Sequence, residues 1–269
     1  MLTLSNDTYY SKEADNEYLS VSQIKKFLGC PAKHGCEARA IAELKGEYEP
    51  PKSDALLEGS YIDVMLTGSD KEQKKFITNH PEMFKKDGTL YAKFERCNDM
   101  INRVKRDADN GGIFLKTLKG DKQKMFVGEI HGHKFKAKPD VLGENFITDL
   151  KTTESITKRY YANGWYNFID YWNYPLQGAI YQEIVYQNTG KKLPFYISAI
   201  SKEAEPDLGV FQIPQEMLDN ALSNVTKEQL DRIVALKKGE IAPERCEHCD
   251  YCRSTKVIKA PINYLDLED

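Results

Sequence analysis

The chain has 269 residues, of which 41% are hydrophobic and 29% charged, and its formal net charge is −3. No apolar run approaches the ~18 residues of a membrane span, and the N-terminus lacks the basic and apolar stretches of an export signal, so we expect a cytoplasmic protein without a membrane partner. The balanced charge argues against a wholly basic coat, although a local basic stripe could still bind nucleic acid.

The first third of the chain carries helix-forming patterns. Ser22 is a suitable N-cap for a helix that includes Ile24 and Phe27. Three further helices are predicted over residues 38–44, 54–66 and 92–107. Short segments rich in turn formers are predicted loops, at 46–53 and 67–71. Neither loop is long enough to mark a domain boundary, so we expect one domain over residues 1–269, with a mostly helical part at 1–110.

The middle of the chain changes to strand patterns. Residues 124–153 contain three short β-type runs separated by turn signals, which predicts a meander or a hairpin plus one strand. Further elements are predicted downstream: a helix over 175–187, strands over 193–201 and 209–213, and a long helix over 214–238. This order predicts an α/β or α+β core over residues 111–240, with a mixed central sheet flanked by helices, followed by a cysteine-rich segment at 241–269.

Two acids and a lysine are predicted to meet at the end of these strands. Asp149 and Lys151 are two residues apart on the third β run, so both side chains project from one face. If the runs on either side of Gly143 pair as a hairpin, Asp140 comes alongside them. Carboxylates suit Mg²⁺ or Mn²⁺, which can activate a water for attack on phosphorus, and Lys151 would orient or deprotonate that water or stabilise the developing charge. Taken singly, the three residues could equally be solvated surface charges.

The residues around this cluster resemble the PD-(D/E)XK nuclease motif, in the form found in RecB-like exonucleases. The motif is carried by residues 138–140 (KPD) and, after eight residues, by 149–153 (DLKTT). Gln177 and Tyr181 resemble that group's Gln-x-x-x-Tyr motif. Because they are four apart on a predicted helix, they share one face and can reach the same site.

Further elements extend the resemblance over about residues 18–256. Residues 18–33 are similar to the N-terminus of phage and prophage RecE-like exonucleases. Gly59 and Asp63 stand where the group has Gly-x-x-x-His, with aspartate in place of histidine. Glu129 stands where related enzymes often have a further acid. The resemblance implies a restriction-endonuclease-like core.

The resemblance also implies roles for individual residues. The implied ligands of two Mg²⁺ or Mn²⁺ ions are Asp140, Asp149, Leu150 through its backbone carbonyl, Asp63 and Glu129. Lys151 would be the catalytic lysine, and Gln177 and Tyr181 would position the DNA strand near the scissile phosphate.

The implied activity is that of an exodeoxyribonuclease. It would digest linear double-stranded DNA from the 5′ end and leave 3′ single strands for phage-type DNA recombination in a bacterial host. A RecT-like single-strand annealing protein is the implied partner, and a homo-oligomeric ring around the duplex is the implied assembly.

A second motif is a cysteine cluster. Three cysteines fall within seven residues near the C-terminus, Cys246, Cys249 and Cys252. Without an export signal, such clustering indicates metal more often than disulfides. Iron–sulfur clusters and Zn²⁺ both accept this spacing with one remote ligand, and Cys30 is the predicted fourth. The pattern resembles the split cysteines of iron–sulfur nucleases, which implies a 4Fe–4S cluster, with zinc or reduced thiols as alternatives. Cys36 and Cys97 are predicted packing residues.

Positive charge is predicted beside the aspartates. Lys136 and Lys138 alternate along a strand and could contact DNA phosphates, or could belong to an ordinary solvated strand face.

Residues 160–174 are rich in aromatic side chains. Stacking on a frayed terminal base pair is one interpretation of this segment, and core packing or subunit contact is the other.

Two other functions fit parts of the pattern. A single-strand-specific iron–sulfur nuclease of the CRISPR-adaptation or AddB type would explain the split cysteines. A non-catalytic DNA-binding module with a zinc knuckle would also explain them, but retention of Asp140, Asp149 and Lys151 argues against a module without catalysis.

Overall fold

The computed structural model describes residues 3–51, 53–161, 164–261 and 263. Its α-helices are α1 Lys12–Glu17, α2 Val21–Leu28, α3 Glu37–Lys45, α4 Asp54–Thr67, α5 Asp70–Asn79, α6 Arg96–Asp109, α7 Phe114–Thr117, α8 Phe168–Tyr171, α9 Tyr174–Thr189, α10 Gln215–Ser223, α11 Lys227–Lys238 and α12 Asp250–Ser254. Its strands are β1 Gly29–Cys30, β2 Lys33–His34, β3 Asp121–Lys122, β4 Phe126–Ile130, β5 His133–Ala137, β6 Val141–Leu142, β7 Ile147–Thr153, β8 Arg159–Tyr161, β9 Gly164–Tyr166, β10 Phe195–Ser201 and β11 Leu208–Gln212.

The central sheet has five strands in the order β11-β10-β7-β6-β3. Strands β7 and β10 pair in parallel, with Asp149 opposite Ile197, and the other pairings are antiparallel. The predicted mixed sheet flanked by helices is therefore confirmed. Strands β4 and β5 form a separate hairpin, and so do β8 and β9.

Each face of the central sheet packs against helices. On one face, Ile147 and Ile197 belong to the same apolar cluster as Ile180 and Ile184 of α9. On the other face, Leu150 packs in a second cluster with residues of α4 and α6. Because side chains alternate along a strand, Ile147, Asp149 and Lys151 all project towards α9. The α9 helix therefore covers the face of the sheet that carries the predicted site.

Some predicted boundaries are wrong, and local capping explains why. The first predicted helix is capped by Ser20, whose hydroxyl accepts a hydrogen bond from the Gln23 N–H, and Ser22 lies inside the helix. The predicted long helix over 214–238 is two helices, because Thr226 forms a capping box with Gln229 and begins α11. The predicted loop at 67–71 contains Ser69, which begins α5 with a second capping box.

The strand region also differs in detail from its prediction. It contains two hairpins, β4–β5 and β6–β7, in place of three runs. None of the helices in the described part of the chain combines the length and hydropathy needed to cross a bilayer.

Candidate active site

Asp140 is fixed beside β7 by the hairpin that the sequence suggested. Val141 of β6 pairs with Thr148 of β7, so Asp140 lies next to the following residues of β7. Its Oδ2 accepts a hydrogen bond of 2.9 Å from the backbone N–H of Leu150. Its Oδ1 accepts one of 2.9 Å from Nε2 of Gln123. Two donors thus hold this carboxylate just before β6 begins, at the open end of the β6–β7 hairpin.

Asp149 is buried at the centre of the site, with 2% of its side chain exposed. Its Oδ1 accepts a 2.7 Å hydrogen bond from Nε2 of Gln177 on α9. Its Oδ2 is in ion contact with the Lys151 ammonium but accepts no well-aligned hydrogen bond from the described residues. One oxygen of Asp149 is therefore oriented by an amide, and the other remains a buried acceptor.

The charges in the site show that the carboxylates crowd one another. Burial raises the pKa of Asp140 to about 7, and the negative charge of Asp149 adds to this effect while Lys151 opposes it. Burial also raises the pKa of Asp63 on α4, and the negative charge of Asp149 raises it further. Burial disfavours the charge on Lys151, but the negative charges of Asp149, Tyr174 and Asp140 together outweigh burial, so the pKa of Lys151 lies above its usual range.

These donors suit a hard divalent cation. Three carboxylates, Asp63, Asp140 and Asp149, act on one another electrostatically. The N–H and C=O of one strand residue point to the same side, and the Leu150 N–H points at Asp140, so the Leu150 carbonyl is directed into the same space. An all-oxygen set with mutual repulsion is what Mg²⁺ or Mn²⁺ would bind. The residues therefore fit the metal that the resemblance implies.

Gln177 and Tyr181 lie side by side on the face of α9 that covers the site. Gln177 contacts Asp149 directly. Burial raises the pKa of Tyr181 well above its usual value, and the charge of Asp149 contributes. The structure thus brings both residues of the predicted Gln-x-x-x-Tyr motif to the aspartates.

Two residues predicted for the site lie elsewhere. Glu129 is exposed on β4, which among the described residues pairs only with β5, and its backbone N–H donates to Gln187 Oε1. Nothing in the described structure brings Glu129 to the aspartates, so its assignment as a metal ligand is not supported. Lys136 is buried, and its ammonium donates to Asp15 Oδ1 at 2.6 Å and to the Tyr9 carbonyl. Its assignment as a DNA contact is wrong.

Lys138, in contrast, remains beside the site. It is half-buried, and its Nζ lies 3.3 Å from Asn6 Oδ1. Burial lowers the pKa of Lys138, and the charges of Asp140 and Asp63 counteract this shift.

Lys25 and Tyr174, to which the sequence assigned no role in the site, also lie here. Lys25 of α2 and Lys151 both face the ring of Tyr174, with Nζ at 5.2 Å and 5.0 Å from its centroid. Burial lowers the pKa of Lys25 to about 8, and the positive charge of Lys151 adds to the shift. Burial raises the pKa of Tyr174 to about 12, although the positive charge of Lys151 acts to lower it. No motif marks Lys25, since only the tertiary fold brings residue 25 to residue 151.

The structure brings four cysteines together, and the fourth of them is Cys36. The sulfur atoms of the group lie within 4.8 Å of one another and belong to Cys36, Cys246, Cys249 and Cys252. Cys36 caps α3, its Sγ accepting a hydrogen bond from the Arg39 N–H, and lies 3.5 Å from the Cys252 sulfur. The prediction that Cys30 is the fourth ligand is wrong, and so is the prediction that Cys36 only packs. Cys30 lies on the β1–β2 hairpin, close to Lys25 and Tyr174.

The fold and the site together define a class of protein. A mixed sheet whose central strand carries Asp-x-Lys, with a second aspartate directly before the neighbouring antiparallel strand, is the arrangement of the PD-(D/E)XK superfamily. The chain belongs to the family described as a PDDEXK-like domain of unknown function (DUF3799), which matches residues 20–255.

A solved structure gives a closer comparison. The chain is similar to the crystal structure of a "putative exonuclease" from Eubacterium rectale, with 40% sequence identity and a TM-score of 0.90. The alignment covers 99% of this chain and 98% of that one. A search of curated proteins finds no match.

Proposed function

We propose that this protein is a metal-dependent exodeoxyribonuclease that hydrolyses phosphodiester bonds of linear double-stranded DNA. The observation that carries the proposal is the meeting of Asp140, Asp149 and Lys151 at the end of the β6–β7 hairpin. The likeness to a structure described as a "putative exonuclease" supports the same conclusion.

The residues of the site have different roles in hydrolysis. Asp140, Asp149 and the Leu150 carbonyl would hold two Mg²⁺ or Mn²⁺ ions, with Asp63 as a further ligand. Such ions, when bound, make a water more acidic and offset negative charge on the leaving oxygen. Because its pKa is raised, Lys151 stays protonated, and its ammonium orients the attacking water or stabilises the charge that develops on the phosphate.

The finer activity follows from the resemblance to RecE-like enzymes. We expect digestion from the 5′ end, 3′ single strands as product, and a phage-type recombination role beside a RecT-like annealing protein. A homo-oligomeric ring and a cytoplasmic location in a bacterial host belong to the same proposal.

A digestion assay tests this activity. Purified protein is incubated with linear duplex labelled at either the 5′ or the 3′ end, with a single-stranded DNA and with closed circular DNA. With Mg²⁺ added, we expect loss of the linear duplex and early release of the 5′ label, while the circle is spared. Cutting of the circle would exclude an exonuclease, and preference for the single strand would favour the CRISPR-adaptation or AddB type of nuclease.

We also propose that the four cysteines hold one Zn²⁺ ion. Two of the sulfur–sulfur distances are 3.5 Å, between Cys36 and Cys252, and 4.0 Å, between Cys246 and Cys252. Tetrahedral Zn–S bonds of ~2.3 Å place sulfur atoms about 3.8 Å apart. In a 4Fe–4S cluster each thiolate binds a different iron, which requires wider spacing. Stoichiometric zinc in a colourless protein is expected, and a brown protein with broad visible absorption would show an iron–sulfur cluster instead.

A further inference from the structure

An exposed aromatic pair stands on the β8–β9 hairpin. Tyr160 and Trp165 lie directly opposite each other in the antiparallel pairing, and their ring centroids are 5.7 Å apart. Their side chains are 66% and 63% exposed. Exposing two large aromatic side chains to water is unfavourable, so an exposed pair of this kind indicates a binding surface.

The hairpin presents this pair on a packed base. Alternation along β8 and β9 turns Tyr161 and Tyr166 to the opposite face. There Tyr161 stacks on Tyr171 of α8, with ring centroids 3.6 Å apart and an interplanar angle of 16°, and Tyr166 packs on Tyr171 at 5.7 Å. The exposed pair is therefore supported from below by three tyrosines.

A row of rings and lysines connects this base to the active site. Tyr171 packs on Trp172 with ring centroids 5.5 Å apart, and the Lys33 ammonium lies 5.7 Å from the centroid of Trp172. Lys25 donates a 2.7 Å hydrogen bond to the Trp172 carbonyl. From there the row continues through Tyr174 to Lys151, as described above.

Lys25 and Lys33 of this row are available to bind anions. Within the described parts of the chain, neither Lys25 nor Lys33 forms an ion pair with a carboxylate. Cations beside exposed aromatic rings match a single-stranded nucleic acid, which offers phosphates and unstacked bases together.

We propose that these residues form a strand track that binds an unpaired segment of DNA next to the active site. The strand track is defined by Lys25, Lys33, Trp172, Tyr160 and Trp165. The lysines contact phosphates, and Tyr160 and Trp165 stack on bases. This inference rests on the proposed nuclease function, since it assigns the path of the strand at that site.

Tryptophan fluorescence tests the stacking. The chain has two tryptophans, Trp165 and Trp172, so Trp172→Phe leaves Trp165 as the only indole reporter and keeps a ring at position 172. This variant is titrated with an oligothymidine strand without added divalent cation. We expect saturable quenching of Trp165 by the single strand, and weaker quenching by a blunt duplex of the same length.

A matched pair of variants tests specificity. In the Trp172→Phe background, Tyr160→Ala is expected to weaken oligothymidine binding about 5- to 100-fold, the range for loss of one stacking contact. Tyr186→Ala removes another exposed tyrosine, about 18 Å further along α9 than Tyr174 at 1.5 Å per residue, and should leave the affinity unchanged. Lys33→Gln should reduce the slope of log affinity against log salt concentration by about 1, as expected for the loss of one phosphate contact.

Three outcomes would overturn the strand track. They are absence of quenching by the single strand, equal affinities in Tyr160→Ala and Tyr186→Ala, and burial of Trp165 by self-association. Self-association would appear as Trp165 emission that depends on protein concentration without DNA, together with a smaller assembly in Trp165→Ala.

The proposed nuclease function can fail separately, because this binding assay needs no cleavage. If the wild type digests DNA while Tyr160→Ala binds normally, only the strand track is wrong. If the oligothymidine binds as expected and the wild type digests nothing, the proposed function is wrong and the track stands as a binding site.

Discussion

Asp149 shows how one residue depends on its neighbours. Its Oδ1 is oriented by Gln177, and its Oδ2 contacts Lys151. Neither neighbour is an oxygen ligand of the proposed metal, but both decide where the carboxylate points. Groups that orient metal ligands typically change metal affinity or activity 10–100-fold when removed.

Gln177→Ala is therefore expected to raise the Mg²⁺ concentration for half-maximal cleavage about 10–100-fold. The measurement is the initial rate of duplex digestion as a function of Mg²⁺. Gln187→Ala is the matched control, since Gln187 lies on the same helix but contacts Glu129, away from the aspartates. Equal Mg²⁺ dependence in the two variants would show that Gln177 does not orient Asp149.

Lys136 illustrates a charge that stabilises the fold. It is 2% exposed and paired with Asp15, which is itself 36% exposed. Removing one partner of a buried pair costs about 3–5 kcal/mol, and the partial exposure of Asp15 reduces this.

We expect Lys136→Ala to lower the free energy of unfolding by about 2–4 kcal/mol in urea denaturation. Lys134→Ala, which breaks the more exposed pair with Glu17, should leave the free energy of unfolding nearly unchanged, because exposed ion pairs contribute little. A small loss of stability in Lys136→Ala combined with weaker DNA binding would restore the interpretation of Lys136 as a DNA contact.

At the scale of elements, α9 serves the core and the site at once. Its buried residues pack on the central sheet while Gln177 reaches Asp149. Gly178 packs closely against Phe195 of β10, because an added Cβ would lie 2.4 Å from Cδ1 of Phe195. Phe195 is fully buried and has no room to move.

Gly178→Ala is expected to destabilise the protein by about 1–3 kcal/mol through overpacking, despite the better helix propensity of alanine. The matched control is Gly59→Ala in α4, where the nearest atom is Thr152 Oγ1 at 3.6 Å. That change should be neutral or stabilising by up to about 1 kcal/mol. Thermal unfolding of both variants checks the pair, and equal melting temperatures would contradict the close approach of α9 to the sheet.

The elements and the acid–lysine cluster could be predicted because their signals are local. Alternation along β7 places Asp149 and Lys151 on one face, and the turn at Gly143 brings Asp140 to them. Separation of the β4–β5 hairpin, which removes Glu129 from the site, depends on long-range pairing that no local pattern records. The same applies to Lys25, which reaches the site from α2 only through the tertiary fold.

At the scale of the whole molecule, the cysteine group joins the two ends of the chain. Cys36 at the start of α3 meets cysteines from the segment around α12, and Ala38 also donates a backbone hydrogen bond to Glu244 there. Sequence could not separate Cys30 from Cys36, because both precede α3 and only the intervening hairpin decides which sulfur faces the group.

Cys36→Ser is expected to lose the bound metal and to lower the melting temperature, while Cys30→Ser keeps both. Metal content per chain is measured by elemental analysis, and stability by thermal unfolding. Loss of metal in Cys30→Ser with retention in Cys36→Ser would contradict the arrangement of the four sulfurs.

The central claim is that two aspartates and a lysine at the end of one hairpin carry out phosphodiester hydrolysis. Its most direct test is the single-turnover rate of linear duplex cleavage with Mg²⁺ by Asp149→Asn, compared with the wild type and with Glu129→Gln. We expect Asp149→Asn to be slower by about a hundredfold or more while it remains folded, and Glu129→Gln to match the wild type. A wild-type rate in Asp149→Asn would contradict the account.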